Sequence, residues 1–393
     1  MSGLRIGFFG NFYPHIGRLS STSVGLVHLL STSDAVASIE VFAPEGSDFP
    51  RAMDRAKISL RRDWRFNDPV SLIRAFLKIR AESPKLDIII FNLYLTSFGT
   101  GNLSNGVGLL LPVLVSFSTR RSPVVYMHNF IETQDIEALG YRPSFLRTLV
   151  AKVLERLIML RCQLVVPLLS QKRTLEQKTH GRIEYGIVPF VEAMPGVLLG
   201  GSSIAVSSEP PSGKLRVLLF GLWGPQKDAS GILRALTEIH ARGLPLEVTI
   251  TGGINPAFPA YGAYLRSLVS SLGSKAFNLI EEPPEESIRD LFHSSDVIIL
   301  PYSAAGGYSA VMNQSAFYRL PILAYDVPEL RECAEEIGIP CRFFEPGDVA
   351  ELERSLRTVQ SEQLGGSRPT EVDPSSIHQS VKRLERLFGI VPS

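Results

Sequence analysis

The sequence predicts an α/β protein made of two Rossmann-like domains in tandem, each built on a parallel sheet. Short apolar runs, typical of strands buried on both faces, alternate with helical segments along the whole chain. The pattern also starts twice, because the opening run Leu4–Gly10 (LRIGFFG) is nearly repeated at Leu215–Gly221 (LRVLLFG). With 393 residues and a hydrophobic content of 45%, the chain is long enough for two domains of ordinary size.

In the first half, the opening strand leads into a turn rich in Gly, Pro and Ser. A helix follows whose apolar face includes Val24, Val27 and Leu30. Four further apolar runs predict strands at Ser38–Ala43, Asp87–Asn92, Pro123–Asn129 and Gln163–Leu168. Helices are predicted between them, at Pro69–Ala81, Asn105–Ser118 and Pro143–Leu160. This order is typical of βαβ units and a parallel sheet.

The second half repeats this alternation after a boundary. Residues 195–213 are rich in Gly, Ser and Pro, a composition typical of a linker. A helix at Ala229–Ala241 follows the repeated strand, and later strands are predicted at Leu246–Gly252, Phe277–Ile280, Asp296–Pro301 and Ile322–Tyr325. The predicted domains are residues 1–190 and 214–363, joined by a linker at 191–213. In the tail, 364–393, the amphipathic helix Ile377–Phe388 is expected to pack back towards the first domain.

The net charge of +1 conceals an asymmetry. Residues 1–190 carry 23 basic and 15 acidic side chains, hence +8, whereas residues 191–393 carry 17 basic and 24 acidic ones, hence −7. Arg51–Arg80 is strongly basic, and in Pro143–Arg161 Arg and Lys alternate with Leu and Val. Two interpretations of that helix stay open: it lies on an anionic membrane or acidic acceptor, or it faces the core with a solvated charged side. Nucleic acid is not expected as a partner, because no recognition motif accompanies the charge.

Composition also indicates in which cellular compartment the protein is expected. Cys162, Cys333 and Cys341 are widely spaced and form no CxxC pair, so we expect neither a disulfide scaffold nor a zinc site. The longest apolar run, Val107–Phe117, is well short of the roughly 20 residues that span a bilayer. The first ten residues are predicted to form a strand and not a signal peptide. We therefore expect a cytoplasmic protein, with peripheral attachment to the cytoplasmic membrane face as an option.

In open parallel sheets, ligands bind outside the carboxyl ends of the strands, and polar residues of the first domain fall there. His128 and Asn129 stand where the strand Pro123–Asn129 ends. The first turn contains Gly17, where the backbone can approach a ligand closely, and Arg18, which can reach an anion. A His that caps a turn and an ordinary βα turn are the alternatives at these two places.

In the second domain, the repeated strand ends at Gly221, and Lys227 stands six residues later at the start of a helix. The helix dipole favours anions at that end, so a lysine there is explained by an anionic ligand between the two. A solvent-exposed lysine is the alternative.

A Gly- and Ser-rich loop follows the strand Asp296–Pro301 and precedes a helix through Gln314. Such a loop can present backbone N–H groups to a diphosphate, here those of Tyr308, Ser309, Ala310 and Val311. An ordinary βα turn is the alternative. Gly307–Val311 also half-matches the nucleophile elbow of serine hydrolases, with Asp326 and His378 in hydrolase order, but the second Gly of that motif is missing.

These residues, in this order, resemble a glycosyltransferase of the GT-B fold, specifically the retaining glycosyltransferase family 4, over nearly the whole chain. In that family a strand-end His contacts the donor sugar, as His128 would. The family's second domain opens with a strand, Gly-Arg-Leu and then Lys-Gly. Gly221 and Lys227 keep this spacing, although Leu222 replaces the Arg and Asp228 replaces the Gly. The family's Asp-Val-x-Val-x-Pro-Ser strand end is similar to Asp296–Tyr302.

One departure from the family concerns its paired glutamates, seven residues apart, which contact the sugar hydroxyls and the ribose. Their places fall near Gly306 and Gln314, and neither residue is acidic. Gln314 can still hydrogen-bond a ribose, whereas Gly306 and Gly307 offer only backbone groups to the sugar. With Gln314, the strand-end residues Gly252 and Glu281 are expected to contact the ribose or the base.

The resemblance implies transfer of a sugar from a nucleotide-sugar donor to a glycan, lipid-linked or small-molecule acceptor, with retention of configuration. Lys227 and the loop N–H groups would stabilise the leaving diphosphate without a metal ion or other cofactor. His128, Asn129, Gly17 and Arg18 would position the sugar and the acceptor. A sugar-nucleotide epimerase of the same architecture and a non-catalytic protein that binds a sugar nucleotide or a partner enzyme stay open as alternatives.

Overall fold

The computed structural model describes residues 3–12, 18–119, 121–140, 144–179, 181–198, 213–364 and 374–391, without the side chains of residues 18, 19, 285, 286, 364 and 374. Two parallel sheets with interleaved helices make up the fold, as the sequence predicts. No helix of these residues is both long and apolar enough to cross a membrane.

The first sheet has seven strands in the order β3-β2-β1-β4-β5-β6-β7. They are β1 (Leu4–Phe9), β2 (Val36–Pro44), β3 (Ile58–Trp64), β4 (Ile88–Leu93), β5 (Val124–Met127), β6 (Gln163–Val166) and β7 (Ile183–Tyr185). The helices that go with them are α1 (Arg18–Thr32), α2 (Pro69–Glu82), α3 (Asn102–Ser116), α4 (Phe145–Arg161), α5 (Leu169–Glu176) and α6 (Met194–Leu198). Short 3-10 turns lie at Ser83–Lys85 and Ile131–Thr133.

The second sheet has six strands in the order β10-β9-β8-β11-β12-β13. They are β8 (Leu215–Phe220), β9 (Leu246–Gly252), β10 (Phe277–Glu281), β11 (Val297–Leu300), β12 (Ile322–Tyr325) and β13 (Cys341–Phe344). Its helices are α7 (Ala229–Ala241), α8 (Tyr261–Ser271), α9 (Glu285–His293), α10 (Ala310–Phe317), α11 (Pro328–Ile337) and α12 (Val349–Leu364), and α13 (Pro374–Leu387) ends the chain.

Apolar side chains fill both faces of the first sheet because β1 points alternate residues to opposite sides. Ile6 and Phe8 belong to a core shared with α1 and α13, while Phe9 belongs to a core shared with α2, α3 and α4. Leu384 of α13 is fully buried in the first of these cores. The last helix of the chain thus lies on the first domain.

The chain passes from the first sheet to the second after β7. Residues 199–212 of the predicted linker lie outside the described residues, but its first part is packed: Val191 and Ala193 are fully buried. Helix α6 contacts α1 of the first domain and α9 of the second. This passage therefore contacts both domains and joins them.

Candidate functional site

The two domains meet where the carboxyl ends of their strands face each other. His128 follows β5, and Gly306 and Gly307 lie in the loop after β11. The Gln134 amide of the first domain donates a hydrogen bond to the Gly306 carbonyl. A Cβ on Gly307, whose φ is +144°, would lie only 2.9 Å from the His128 carbonyl oxygen. Glycine is therefore favoured there by both its backbone conformation and the close approach, and His128 and the Gly-rich loop are in contact.

Lys227 is enclosed in the second domain, so it is not the solvent-exposed lysine of the alternative interpretation. The residue is 2% exposed, and its Nζ donates to the Phe220 carbonyl oxygen at 2.7 Å. The ammonium lies 4.8 Å from the Trp223 ring and 5.0 Å from the Tyr302 ring. No carboxylate among the described residues forms an ion pair with it. Burial alone lowers the pKa of Lys227 to about 7, because the ammonium loses its water and gains no counter-charge.

The end of β8 and the start of α10 converge on this ammonium. Gly221 has a φ of +116°, and a Cβ there would lie 2.9 Å from the Lys227 Nζ and 3.0 Å from the Val311 Cγ2. Helix α10 starts at Ala310, with Ser309 as its N-cap. A helix N-terminus favours anions, and the ammonium adds to the positive field there. The structure thus brings the predicted diphosphate-binding residues together, with Tyr308 next to them in the chain, while their role stays a prediction.

Gly252 lies beside Gly221 at the end of the neighbouring strand. Its φ is +114°, and a Cβ there would lie 2.1 Å from the Gly221 carbonyl oxygen, so only glycine fits between these strand ends. Glu281 is the register partner of Gly252 on β10. Its carboxylate lies 2.6 Å from the Arg266 guanidinium, and the Glu281 side chain is 44% exposed. Both residues are therefore at the correct edge of the sheet, and their contact with the base or ribose stays a prediction.

Gln314 and Asn129 use their amides within the protein. Gln314 is buried, and its Nε2 donates to the Glu192 carbonyl oxygen at 3.1 Å. Asn129 accepts the Leu95 N–H at 2.9 Å and so fixes the loop after β4. Gly17 and the side chain of Arg18 lie outside the described residues. The predicted ligand contacts of these four residues remain predictions.

His128 is 1% exposed and held in a fixed orientation. Its Nε2 lies 2.6 Å from the Asn92 Oδ1, while the Asn92 Nδ2 donates to the Ser23 hydroxyl at 2.9 Å. An amide oxygen only accepts, so the His128 Nε2 carries a proton. The ring stacks on Tyr94 with 4.6 Å between centroids, and Tyr308 of the second domain lies 5.5 Å away.

Glu192 also belongs to this site, although no feature of the sequence predicts it. It is 2% exposed and lies in the passage between the domains. Its carboxylate accepts hydrogen bonds from Thr22 of α1 at 3.1 Å and from Tyr308 and Asn313 of the second domain. No motif marks Glu192, because its partners are distant in sequence. It ties the first domain to both the Gly-rich loop and α10.

The serine-hydrolase interpretation finds no support in these contacts. The Ser309 hydroxyl accepts the Met312 N–H at 3.2 Å as a helix cap, and Asp326 forms an ion pair with Arg331. The Ser309 hydroxyl therefore caps α10, and the Asp326 carboxylate is paired with an arginine and not with a histidine.

A cavity of about 510 Å³ opens beside Lys227 on the side of α7. The side chains of Asp228, Ser230, Tyr261, Tyr264 and Ser303 are among those that line it. Asp228 caps α7 by accepting the Gly231 N–H at 2.8 Å and also accepts the Tyr325 hydroxyl at 3.0 Å. Among the described residues, no group of three His, Cys, Asp or Glu side chains is arranged to hold a metal ion.

Solved structures of the GT-B fold resemble the whole chain. HepE from Anabaena, crystallised with UDP and glucose, is 13% identical with a TM-score of 0.60, and the match covers 98% of this chain and 97% of that one. Sucrose-phosphate synthase from Thermosynechococcus elongatus is 12% identical with a TM-score of 0.62, over 98% and 95% of the two chains. A glycosyltransferase from Rickettsia africae is 12% identical with a TM-score of 0.64, over 99% and 96%.

The chain therefore has the GT-B fold, as the sequence predicts. No protein-family model matches it, and no curated protein matches it either. The likeness rests on architecture, because the sequence identities are 12 to 13%.

Proposed function

We propose that the chain is a glycosyltransferase that moves a sugar from a nucleotide-diphosphate donor to an acceptor. The observation that carries this proposal is Lys227, a buried ammonium next to the N-terminus of α10 that forms no ion pair with a carboxylate of the described residues. An ammonium in such a place is stabilised when an anionic ligand binds. A structure of the same fold, HepE, was crystallised with UDP and with UDP-glucose, which supports a nucleotide sugar as the ligand here.

In the proposed reaction, the bond between the anomeric carbon and a diphosphate oxygen of the donor breaks, the oxygen of an acceptor hydroxyl bonds to that carbon, and the hydroxyl proton is lost to water. The nucleoside diphosphate leaves with additional negative charge. Lys227 and the N–H groups of Ser309, Ala310 and Val311 stabilise that charge, so that the proposed reaction uses no metal ion. Retention of configuration, which the resemblance to glycosyltransferase family 4 implies, is part of the proposal.

The first domain supplies the other side of the proposed site. His128, with Gly307 against it, and Gly306 position the sugar, and a glycan or lipid-linked acceptor enters from the same side. His128 is 1% exposed and lies against Tyr308 and Gly307 of the second domain, so access of the donor sugar to His128 requires the two domains to separate. We propose a cytoplasmic location, where nucleotide sugars are the available donors.

A second candidate is a protein that binds a nucleotide sugar without transferring it. It is favoured by the absence of carboxylates at Gly306 and Gln314 and by the Gln314 amide, which is occupied by the Glu192 carbonyl. In this case the diphosphate site is kept, but the groups that distinguish the transition state from the bound donor are missing.

Calorimetric titration with UDP-, GDP-, ADP- and dTDP-sugars tests the proposal. We expect one of these donors to bind and to release its nucleoside diphosphate when acceptor is added. Binding without release indicates the non-catalytic protein, and a change of the sugar without an acceptor indicates an epimerase. If none of the four binds, the site has been assigned to the wrong class of ligand.

The pKa of Lys227 gives the proposal a pH dependence. In the ligand-free protein its pKa is lowered to about 7 from the usual 10.5. The unfolded chain therefore binds more protons than the folded one between these values, so the stability of the ligand-free protein rises with pH across this window. Affinity for the nucleoside diphosphate falls over the same window, because binding then requires uptake of a proton. Calorimetry measures the affinity and urea denaturation the stability, each below and above pH 7. If affinity and stability changed with pH in the same direction, Lys227 would not be the group that binds the diphosphate.

A further inference from the structure

The outer surface of helices α2, α3 and α4 is apolar. These helices are neighbours in one layer on the first sheet. The described residues expose 15 large hydrophobic side chains, and 12 of them belong to this layer: Val70, Ile73, Leu77, Leu103, Leu114, Phe117, Phe145, Leu146, Leu149, Val150, Val153 and Leu160. We refer to these 12 residues as the outer helical face. Such a concentration of exposed apolar side chains on neighbouring helices is typical of a binding site for a protein or a membrane.

Helix α4 has apolar residues on two opposite sides. Leu154, Ile158 and Met159 are buried against the sheet. On the other side, Leu146, Leu149, Val150, Val153 and Leu160 recur with helical spacing and are 47 to 68% exposed. The outward side of a helix that faces water carries polar residues. The exposed apolar side of α4 is therefore suited to contact with an apolar surface other than its own core.

The charged residues of this layer are cationic where they are exposed. Arg147, Arg156 and Arg161 of α4 are exposed, and the Arg161 guanidinium lies 4.4 Å from the Phe117 ring. Arg74 and Arg80 of α2 are exposed as well.

Carboxylates are nearly absent from the same three helices. Helix α3 has no charged residue at all. Glu155 of α4 is fully buried, where it accepts the Ile131 N–H at 2.6 Å. Glu82 at the end of α2 forms ion pairs with Arg61 and Lys85. The outer helical face therefore combines apolar side chains with unopposed positive charge.

We infer that the outer helical face docks on the surface of an anionic lipid bilayer. Apolar side chains of an interfacial helix enter the boundary between headgroups and acyl chains, while Arg and Lys pair with anionic headgroups. A second copy of the chain would bring two basic surfaces together, which is unfavourable. The charge of the face thus selects an anionic bilayer over self-association.

The start of α4 follows a contact between the two domains closely in the chain. Phe145, at the start of α4, follows Gly140 by five residues, and a Cβ on Gly140 would lie 2.7 Å from the Pro225 Cβ of the second domain. A lipid-anchored acceptor therefore reaches the cleft from the bilayer without leaving it. This consequence rests on the proposed glycosyl transfer, whereas the docking does not.

Sedimentation with vesicles tests the docking, with the full chain and no donor present. We expect the protein to sediment with vesicles of phosphatidylcholine and phosphatidylglycerol at low salt, to be released at high salt, and to stay in solution with phosphatidylcholine alone. The substitution Arg156→Glu should weaken binding about fivefold or more, the contribution of one basic residue near an anionic surface. Lys275→Glu, an exposed lysine of the second domain, is the matched control and should bind as the unchanged protein does.

The double substitution Leu149→Glu with Val153→Glu should abolish vesicle binding, because two carboxylates would face the acyl boundary. Val197→Glu, at a residue 41% exposed outside the layer, controls for an added carboxylate, and circular dichroism confirms that all variants fold.

Full binding by the double variant, or no binding of the unchanged protein to anionic vesicles, would overturn the inference. A dimer in solution that the double variant converts to a monomer would overturn it too, in favour of an interface between copies. Donor binding is measured separately by calorimetry and should not change in the double variant, so failure of the docking and failure of the proposed function are distinguishable.

Discussion

Replacing Lys227 by methionine is expected to stabilise the ligand-free protein and, in the same variant, to remove nucleotide binding. Methionine is similar in length and carries no charge, so it removes the cost of enclosing an ammonium between Trp223 and Tyr302, at about 1.4 kcal/mol per unit of pKa change. The lost hydrogen bond to the Phe220 carbonyl costs about 1 kcal/mol. Because the pKa of Lys227 is lowered from 10.5 to about 7, the cost that is removed exceeds that of the lost hydrogen bond, and we expect the free energy of unfolding in urea at neutral pH to rise by about 3–4 kcal/mol.

Affinity for the nucleoside diphosphate should fall about a hundredfold or more in Lys227→Met, because a buried charged partner of the phosphate is lost. Lys214→Met, at an exposed lysine of the same domain, is the matched control and should change stability by less than about 0.5 kcal/mol. A destabilised Lys227→Met protein would mean that the ammonium has a counter-charge after all. Unchanged affinity would place the phosphate site elsewhere.

Replacing Glu192 by alanine is expected to cost about 3–5 kcal/mol of the free energy of unfolding. The substitution removes the buried carboxylate that accepts hydrogen bonds from the Thr22 and Tyr308 hydroxyls and from the Asn313 amide. The Gly-rich loop and α10 also lose their tie to the first domain. We therefore expect weaker donor binding in calorimetry under conditions where the variant is still folded.

Glu184→Ala is the control for Glu192→Ala. The Glu184 side chain is 42% exposed and 3.8 Å from Arg182, so its removal should change stability by less than about 0.5 kcal/mol. Tyr308→Phe separates the two effects of Glu192, since it removes one donor and leaves the carboxylate in place. Two results would show that Glu192 does not position the loop. One is an equal free energy of unfolding for Glu192→Ala and Glu184→Ala. The other is a lower free energy of unfolding for Glu192→Ala with no change in donor affinity.

The interior strands of both sheets follow from the sequence, whereas of the four edge strands only β10 does. β1 and β8 are continuous apolar runs because both of their faces are buried, and the predicted bounds differ from the observed ones by one residue at Gly10 and Gly221. β3, β7 and β13 lie at sheet edges and were not predicted. An edge strand is partly in water, so β3 carries Arg61, Arg62 and Asp63 and lacks a strand-like apolar run.

The residues of the candidate site can be predicted from the sequence where they directly follow the end of a strand. Lys227, Gly221 and the start of α10 are adjacent to strand ends in the sequence, and parallel sheets bring such ends to one edge. The burial of Lys227 is a different matter, because Trp223 and Tyr302, which enclose it, come from two separate loops. Glu192 was missed for the same reason, since its partners lie on α1, the Gly-rich loop and α10.

The amino-acid sequence by itself determined the two-domain α/β fold, the likeness to GT-B glycosyltransferases and the strand-end residues of the site, because hydrophobic periodicity and strand-end position are local properties. The tertiary structure decided what depends on neighbours distant in the chain. Within the described residues it left Lys227 without an ion-pair partner, it brought Thr22, Tyr308 and Asn313 to the Glu192 carboxylate, and it showed that α4 buries one apolar side and exposes another. Periodicity marks which side of a helix is apolar, but only packing tells which side is covered.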